Sequence, residues 1–308
     1  MWRKLSLFLV ALSILVACNG TTEVIVEPET GLIADKAIVL GDISDEPAET
    51  IEGTQPMADY LAARLGEYGI TRGEVKIAPD LETMTQWMAD GEVDIYFDSP
   101  YPVLVVSQET GAVPILRRWK YGVSAYHSVF IARKDSGLTS LADLSGRMVA
   151  FEESFSTSGY MLPLSYLIEQ GMNPVEKADM ETAVAPDEVG YLFSTADNTT
   201  IQWVVSGRVP IGVVDNVTFE LLIPEETREG LTILAATEDV PRQMVLLRSG
   251  IEPELAETIQ TILIGVDESE EGQAALEAFL TTKFDEFPEG AEAALARMQT
   301  LYGLVQDQ

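Results

Sequence analysis

The chain has 308 residues, of which 46% are hydrophobic and 22% charged, so it can bury a core and is not a disordered polymer. Its 50 acidic and 19 basic side chains give a formal net charge of −31, which excludes a nucleic-acid binder because such a protein needs a basic surface. One Cys and one His are too few for a metal site built from these residues, for a Cys–His protease or for a disulfide scaffold.

The first 17 residues have the layout of a secretory signal peptide, with a short basic head followed by an apolar run that is shorter than a membrane span. The run ends in Leu15-Val16-Ala17-Cys18, the lipobox pattern of bacterial lipoproteins. We expect cleavage before Cys18, lipid attachment to its thiol, and a protein anchored to a bacterial membrane outside the cytoplasm. The alternative is an ordinary signal with an incidental Cys. Residues 18–34, the Cys and a stretch with few large apolar side chains, then form a flexible tether.

An alternation of strands and helices begins near Lys36. Apolar runs predict strands at 37–40, 75–77 and 93–97, and apolar residues at helical spacing predict a helix over 56–68. A second cycle has strands at 129–132, 148–151 and 211–214 and helices at 160–170 and 199–207. The remaining predicted helices cover 253–266, 271–281 and 291–302. This order predicts an α/β protein with largely parallel connections.

Two breaks in the pattern, at 121–128 and 235–245, predict chain crossovers between two α/β lobes. The first lobe is then discontinuous, comprising 35–123 plus 241–308. The second lobe, 124–240, is inserted into it. A two-lobed chain of this kind places its ligand in the cleft between the lobes.

The segment with the clearest chemistry is Ser156-Thr157-Ser158-Gly159, where a strand runs into a helix. Backbone N–H groups at a helix start, three hydroxyls and a glycine that permits close approach make a cradle for a small anion. Simple N-capping is the alternative, but three successive hydroxyls exceed what a cap needs.

In its surroundings this segment resembles a known family, the substrate-binding proteins of phosphate, phosphite and phosphonate ABC transporters. The resemblance rests on the motifs Asp135-Ser136, Leu141-Ala142-Asp143-Leu144-Ser145-Gly146-Arg147, Ser156-Thr157-Ser158-Gly159-Tyr160 and Pro163, and it extends from Gly91-Glu92-Val93-Asp94 to Pro241 and Arg248. It implies a type II periplasmic-binding-protein fold, lobe closure over the ligand and delivery to a membrane permease. It also implies that the 156–159 turn grips the phosphoryl oxygens.

Further candidate ligand contacts follow predicted strand ends, the usual edge for ligands in open α/β sheets. In the first lobe these are Ser99 and Tyr101 as hydroxyl donors, and Asp98 if it accepts a ligand proton; turn chemistry explains Asp98-Ser99-Pro100 equally well. In the second lobe Asp197 is either an N-cap or an acceptor for a P–OH group, and Asp215 either touches ligand or fixes the hinge. Tyr126 lies at the first crossover.

These features together predict a monomeric, lipid-anchored extracytoplasmic binding protein of an ABC importer that captures phosphate, phosphite or a phosphonate. No nucleophile–base pair is evident, so we expect neither catalysis nor a cofactor. A sulfonate or thiamine-precursor carrier, or a sensor-associated binding protein on the same fold, is the alternative. The exact oxyanion, the membrane leaflet, the permease, and the choice between uptake and sensing are not encoded in any motif of the chain.

Overall fold

The computed structural model describes residues 36–306, which form fourteen strands and nine α-helices. The strands are β1 (Lys36–Ile43), β2 (Ile70–Ala78), β3 (Ile95–Asp98), β4 (Val113–Lys120), β5 (Ala125–Tyr126), β6 (Ser128–Arg133), β7 (Arg147–Phe151), β8 (Pro174–Glu176), β9 (Val189–Phe193), β10 (Ile211–Asp215), β11 (Leu231–Ala236), β12 (Val240–Pro241), β13 (Gln243–Leu247) and β14 (Thr281–Asp285). The helices are α1 (Pro47–Ala62), α2 (Leu81–Asp90), α3 (Pro100–Thr110), α4 (Leu162–Glu169), α5 (Asp197–Val205), α6 (Glu225–Glu229), α7 (Pro253–Ile264), α8 (Glu270–Ala278) and α9 (Ala291–Gln306). The predicted signal peptide 1–17, lipidated Cys18 and tether 18–34 lie outside the described residues.

The first sheet has six strands in the order β14-β4-β13-β3-β1-β2. β1 is parallel to β2 and β3, whereas β13 is antiparallel to both β3 and β4. Consequently β1, β3 and β4 end at one edge of the sheet, and β13 begins there. We call this edge, which carries Asp42, Asp98 and Lys120, the cleft edge of the first sheet.

The second sheet also has six strands, in the order β11-β6-β10-β7-β9-β8. β7 is parallel to β9 and to β10, and β6 is antiparallel to β10. The residues that end β7, β9 and β10, namely Phe151, Phe193 and Asp215, therefore share one edge. We call it the cleft edge of the second sheet.

Two chain segments connect the sheets, and they pair with each other. β5 and β12 form a small antiparallel ladder in which Tyr126 lies opposite Val240. Beside this ladder, His127 Nδ1 lies 2.7 Å from Asp239 Oδ1. The two crossing segments are thus held side by side at the boundary between the sheets.

Each sheet has its own apolar core. In the first, Leu40 and Phe97 pack with Met57 and Leu61 of α1, and all of these side chains are at most 1% exposed. In the second, Phe130, Val149 and Phe151 pack with Leu164 and Leu167 of α4. Burial of each such side chain stabilises the fold by about 1.5–3 kcal/mol. No helix within residues 36–306 is long and apolar enough to cross a membrane.

The predicted bounds of two helices are wrong. The helix predicted over 56–68 begins instead at Pro47 and ends at Ala62, because Pro47 takes the first-turn place that a proline favours, and Pro56 is accommodated inside the helix. The helix predicted over 271–281 ends at Ala278, because Leu280 turns into the left-handed region with φ 50° and Thr281–Asp285 joins the first sheet as β14.

Candidate functional site

The predicted anion cradle lies directly after β7, at the cleft edge of the second sheet. Ser156 precedes a π turn (Thr157–Met161) that continues into α4. Ser156 Oγ accepts the Gly159 N–H over 2.9 Å, so this residue is the N-cap. The N–H groups of Thr157 and Ser158 lie ahead of the first intrahelical donor, the Met161 N–H, which donates to the Ser156 carbonyl over 3.0 Å. One serine therefore suffices for capping, and the next two residues remain available for other contacts.

The hydroxyl of Thr157 reaches across to the first sheet. It donates to Ser99 Oγ over 2.8 Å and accepts the Tyr101 N–H over 2.9 Å. Thr157 is 1% exposed and Ser99 9% exposed. The residues predicted to grip ligand from the two sheets are thus brought into direct contact.

Asp98 and Tyr101 contribute differently from their predicted roles. Asp98 accepts hydrogen bonds from the Tyr96 hydroxyl and, over 2.6 Å, from the Ser99 N–H, so its oxygens hold the strand end rather than standing open. The Tyr101 ring packs against Tyr302 of α9 with ring centroids 5.3 Å apart. Tyr101 therefore offers its backbone N–H, and not its hydroxyl, to the turn.

Tyr126 and Arg242 meet where the two crossing segments pair. The Arg242 guanidinium lies over the Tyr126 ring, 4.4 Å from its centroid. Its Nε is buried and has no hydrogen-bond partner among the described residues, and the ion pairs of residues 36–306 do not include Arg242. Burial raises the pKa of Tyr126 to about 12, against the effects of Arg242 and of the Ser158 and Ser99 hydroxyls. Tyr126 is therefore a neutral wall at the meeting point of both sheets, with a guanidinium whose charge is not cancelled by a direct partner.

Three carboxyl groups line the cleft edge of the second sheet. Asp215 Oδ1 accepts the N–H groups of Val217 and Thr218, so Asp215 orders the segment after β10. Asp197 is the first residue of α5, and the N-cap is the preceding Ala196. The Asp197 Oδ2 accepts a hydrogen bond from Thr218 Oγ1 over 3.2 Å. Glu152 Oε2 accepts the Ser156 hydroxyl over 2.7 Å. Thr218 and Ser156 thus tie these carboxyl groups to the turns they flank.

Burial is the main cause of the raised pKa values of the carboxyl groups in this cleft. It raises the pKa of Asp98, of Glu152 and, well above its ordinary value, of Asp197. The neighbouring Glu152 and Asp215 carboxylates raise the pKa of Asp197 further, while Arg242 lowers the pKa of both Glu152 and Asp197. Carboxyl groups that keep a proton can donate to a bound oxyanion, so they do not simply repel it.

Sequence reasoning missed Arg242 and Glu152. Glu152 directly follows β7, so its position at a strand end carried a usable signal. Arg242 lies within the predicted second crossover, where a cation in a chain with only 19 basic residues is conspicuous. Its approach to Tyr126, however, depends on the pairing of segments more than a hundred positions apart.

A family model described as "ABC transporter, phosphonate, periplasmic substrate-binding protein" matches residues 41–290. The chain is 28% identical over 155 residues to the phosphate-import protein PhnD of Mycolicibacterium smegmatis, covering 49% of this chain and 48% of that one. It thus spans about half the length of this curated relative.

Solved structures agree with the fold. XAC2383 from Xanthomonas citri, bound to ATP, is 28% identical with a TM-score of 0.80, covering 88% of this chain and 97% of that one. PhnD1 from Prochlorococcus marinus, in complex with methylphosphonate, is 16% identical with a TM-score of 0.66, covering 88% and 98%. The predicted type II periplasmic-binding-protein fold is confirmed. Together with the family match over most of its length, this shows that the chain belongs to the phosphonate family of periplasmic substrate-binding proteins of ABC transporters.

Proposed function

We propose that the protein is the extracytoplasmic binding component of an ABC importer and captures a small phosphorus oxyanion: phosphate, phosphite or a phosphonate. The observation that carries this proposal is the convergence of the Ser156–Gly159 turn, Ser99 and the unpaired Arg242 guanidinium at the boundary of the two sheets. Two relatives above a quarter identity are named for phosphate import and for a complex with ATP, and both ligands carry phosphoryl oxygens.

In the proposed complex the N–H groups of Thr157 and Ser158 and the Ser158 hydroxyl donate to the phosphoryl oxygens, with Ser99 donating from the opposite sheet. The planar Arg242 guanidinium can donate two parallel hydrogen bonds to the same group. Such a site holds an anion locally, in a chain whose global charge is strongly negative. That global field is expected to slow encounter at low salt.

The carboxyl groups set which protonation state of the ligand fits. A group such as Asp197 accepts a hydrogen bond from P–OH when it is ionised and donates one to P–O when it is protonated. Either way one proton is shared between ligand and protein. We therefore infer that the ligand and this carboxyl group together carry one proton, so an ionised carboxyl group selects a ligand with P–OH and a protonated one selects a fully ionised ligand.

Closure and release complete the proposed cycle, in which no bond is broken. The closing units are 35–123 plus 241–308 and 124–240, and the paired crossing segments beside His127 are the hinge. Ligand bound at the 156–159 turn stabilises the closed form, which a membrane permease would recognise. The protein is proposed to act as a monomer, without cofactor or catalytic residue.

Calorimetric titration tests the ligand class. The protein is prepared from residue 19 onward, which retains the whole compact unit Ala34–Gln308. The titrants are phosphate, phosphite, methylphosphonate, aminoethylphosphonate and an alkanesulfonate. Binding of at least one phosphorus oxyanion, with no heat from the sulfonate, is expected. Heat from the sulfonate alone, or from none of the five, would remove the phosphorus proposal and leave the sulfonate or thiamine-precursor alternative to be tried next.

Membrane attachment through Cys18 is proposed on the lipobox residues alone. In a bacterial host the full-length chain is expected in the membrane fraction with incorporated radiolabelled fatty acid. A Cys18→Ser variant is expected to lose the label. Equal labelling of both proteins would show that the Cys is incidental.

A further inference from the structure

A polar cavity lies at the cleft edge of the first sheet, beside the end of β1 and the start of α1. It has a volume of about 310 Å³. Its interior is lined by Asp42, Thr54, Arg118 and Lys120, with Glu46 and Glu49 at the exposed mouth. None of these residues belongs to the 156–159 turn or to the crossing segments.

The cations of this cavity have no direct carboxylate partner. Arg118 is 2% exposed, and its guanidinium donates to three neutral acceptors: Thr281 Oγ1 over 2.8 Å, Gln243 Oε1 over 2.7 Å and the Phe279 carbonyl. The Lys120 ammonium makes no hydrogen bond or ion pair with the described residues; the aromatic ring of Tyr121 lies 5.7 Å from its Nζ. Two positive charges are therefore held out of bulk water with only Asp42 to oppose them inside the cavity.

Protonation leaves this interior net positive near neutral pH. Burial raises the pKa of Asp42 to about 6 and lowers the pKa of Lys120 to about 8 and that of Arg118 to about 9. Between about pH 6 and pH 8 the interior thus carries two cations and one carboxylate. A single added negative charge balances this set.

Two residues with unusual backbone angles line this cavity. Among the described residues only three non-glycine positions have positive φ, and two of them, Tyr121 at 56° and Leu280 at 50°, line this cavity. The Tyr121 N–H donates to the Leu280 carbonyl over 2.8 Å, which couples the two strained residues. Such strain is retained chiefly where a site requires it.

The cavity adjoins the proposed phosphoryl site. Asp42 is the second-last residue of β1, and Asp98 ends β3, the neighbouring strand of the sheet. Lys120 ends β4 at the same edge where Arg242 precedes β13. Asp98 and Arg242 are both near enough to alter the pKa of Lys120. The cavity and Arg242 thus share one edge of the first sheet.

We propose that this cavity is a second anion subsite, in which Lys120 and Arg118 receive a carboxylate or a second acidic group of an organophosphonate whose phosphoryl group is held by the 156–159 turn and Arg242. The inference rests on the proposed function and narrows its ligand class to phosphonates with a second negative charge. Glu46 and Glu49 at the mouth disfavour binding of a free anion from solvent by this subsite alone.

The experiment compares methylphosphonate with phosphonoacetate and 3-phosphonopropionate. These two probes add a carboxylate at two different distances from the phosphorus atom. Affinities are measured by calorimetry for the unsubstituted protein, for Lys120→Met and for Lys36→Met, which removes an exposed charge at the far end of β1. At least one carboxylated probe is expected to bind about tenfold more tightly than methylphosphonate, and Lys120→Met should abolish that preference. Methylphosphonate affinity should stay within about threefold in both variants.

Two results overturn the subsite while leaving the proposed function intact: no gain from either carboxylate, or an equal loss for all probes in Lys120→Met. Failure of every phosphonate with the unsubstituted protein overturns the subsite, and failure of phosphate and phosphite as well overturns the proposed function. Lys120→Arg keeps the charge and is expected to keep the preference. It also serves as the test variant if Lys120→Met does not fold, since loss of the preference in a folded Lys120→Arg protein would contradict a charge-based subsite.

Discussion

Thr157 and Ser99 join the two sheets through one hydrogen bond, which the Thr157 hydroxyl donates to Ser99 Oγ over 2.8 Å. The same hydroxyl oxygen accepts the Tyr101 N–H over 2.9 Å. Both bonds are out of contact with water, because Thr157 is 1% exposed. The contact between the sheets therefore uses the same turn that is proposed to hold the ligand, so we expect closure and ligand binding to be coupled through one side chain.

Thr157→Val tests this coupling, because valine keeps the shape and removes both hydrogen bonds. We expect the free energy of unfolding to fall by about 1–3 kcal/mol, since a buried N–H and hydroxyl lose their partner. Oxyanion affinity should fall by about tenfold or more. Urea unfolding and calorimetry measure the two quantities. Thr300→Val on the exposed face of α9 is the matched control. Unchanged affinity in Thr157→Val would show that the hydrogen bonds between the sheets are not coupled to ligand binding.

Arg242→Met tests the unpaired cation at the crossing segments. Affinity for the phosphorus oxyanion should fall about tenfold or more, while the free energy of unfolding changes by less than about 1 kcal/mol, because methionine relieves the burial of a charge without a direct partner. The control is Arg72→Met, which removes a cation from an exposed ion pair with Glu74. If Arg242→Met destabilises the fold but binds normally, Arg242 is a structural residue only.

Gly159→Ala tests the close approach behind the turn. A Cβ at this position would lie 2.4 Å from Glu152 Cβ and 2.9 Å from Ser156 Oγ, so the cap and its carboxyl partner must move. We expect a loss of about 1–3 kcal/mol in the free energy of unfolding, together with weaker oxyanion binding. Gly66→Ala, where the new Cβ meets nothing within 4 Å, should leave both unchanged. Equal behaviour of the two variants would mean that the turn tolerates displacement.

Asp42 should make stability depend on pH. Burial is the main cause that raises its pKa from 3.8 to about 6, so the folded protein holds a proton that the unfolded chain releases. Folding is therefore favoured below about pH 4, and this contribution is lost as pH rises to about 6. Relative to wild type, Asp42→Asn should gain about 1–3 kcal/mol over that interval, the lower figure allowing for solvent screening.

Urea unfolding across a pH series checks this expectation. Asp267→Asn, an exposed aspartate, is the matched control and should give a curve parallel to wild type. A difference between Asp42→Asn and wild type that does not vary with pH would show that Asp42 titrates at its ordinary value in the folded state.

The sequence predicts the 156–159 turn better than it predicts the cleft around it. The strand–turn–helix containing Ser156–Gly159 was predictable because its strand, cap and hydroxyls are contiguous, and the alternation of elements was enough to give the fold class. Helix ends were less predictable, as at Pro47 and Leu280, because sheet pairing and packing decided between acceptable local choices. Arg242 was missed because its neighbour Tyr126 lies more than a hundred positions away. Glu152 and Lys120 lie at or next to strand ends, where only the strand order shows which residues share an edge.

By itself the sequence determined the α/β class and the strand–turn–helix around residues 156–159, since both depend on backbone groups and side chains a few positions apart. Only the tertiary structure decided what faces that turn. Ser99 and Thr157 are 58 positions apart, and Arg118 and Gln243 are 125 apart. Contacts of that kind are set by strand order and by the pairing of the crossing segments, and burial there, rather than residue type, determines which carboxyl groups keep their protons.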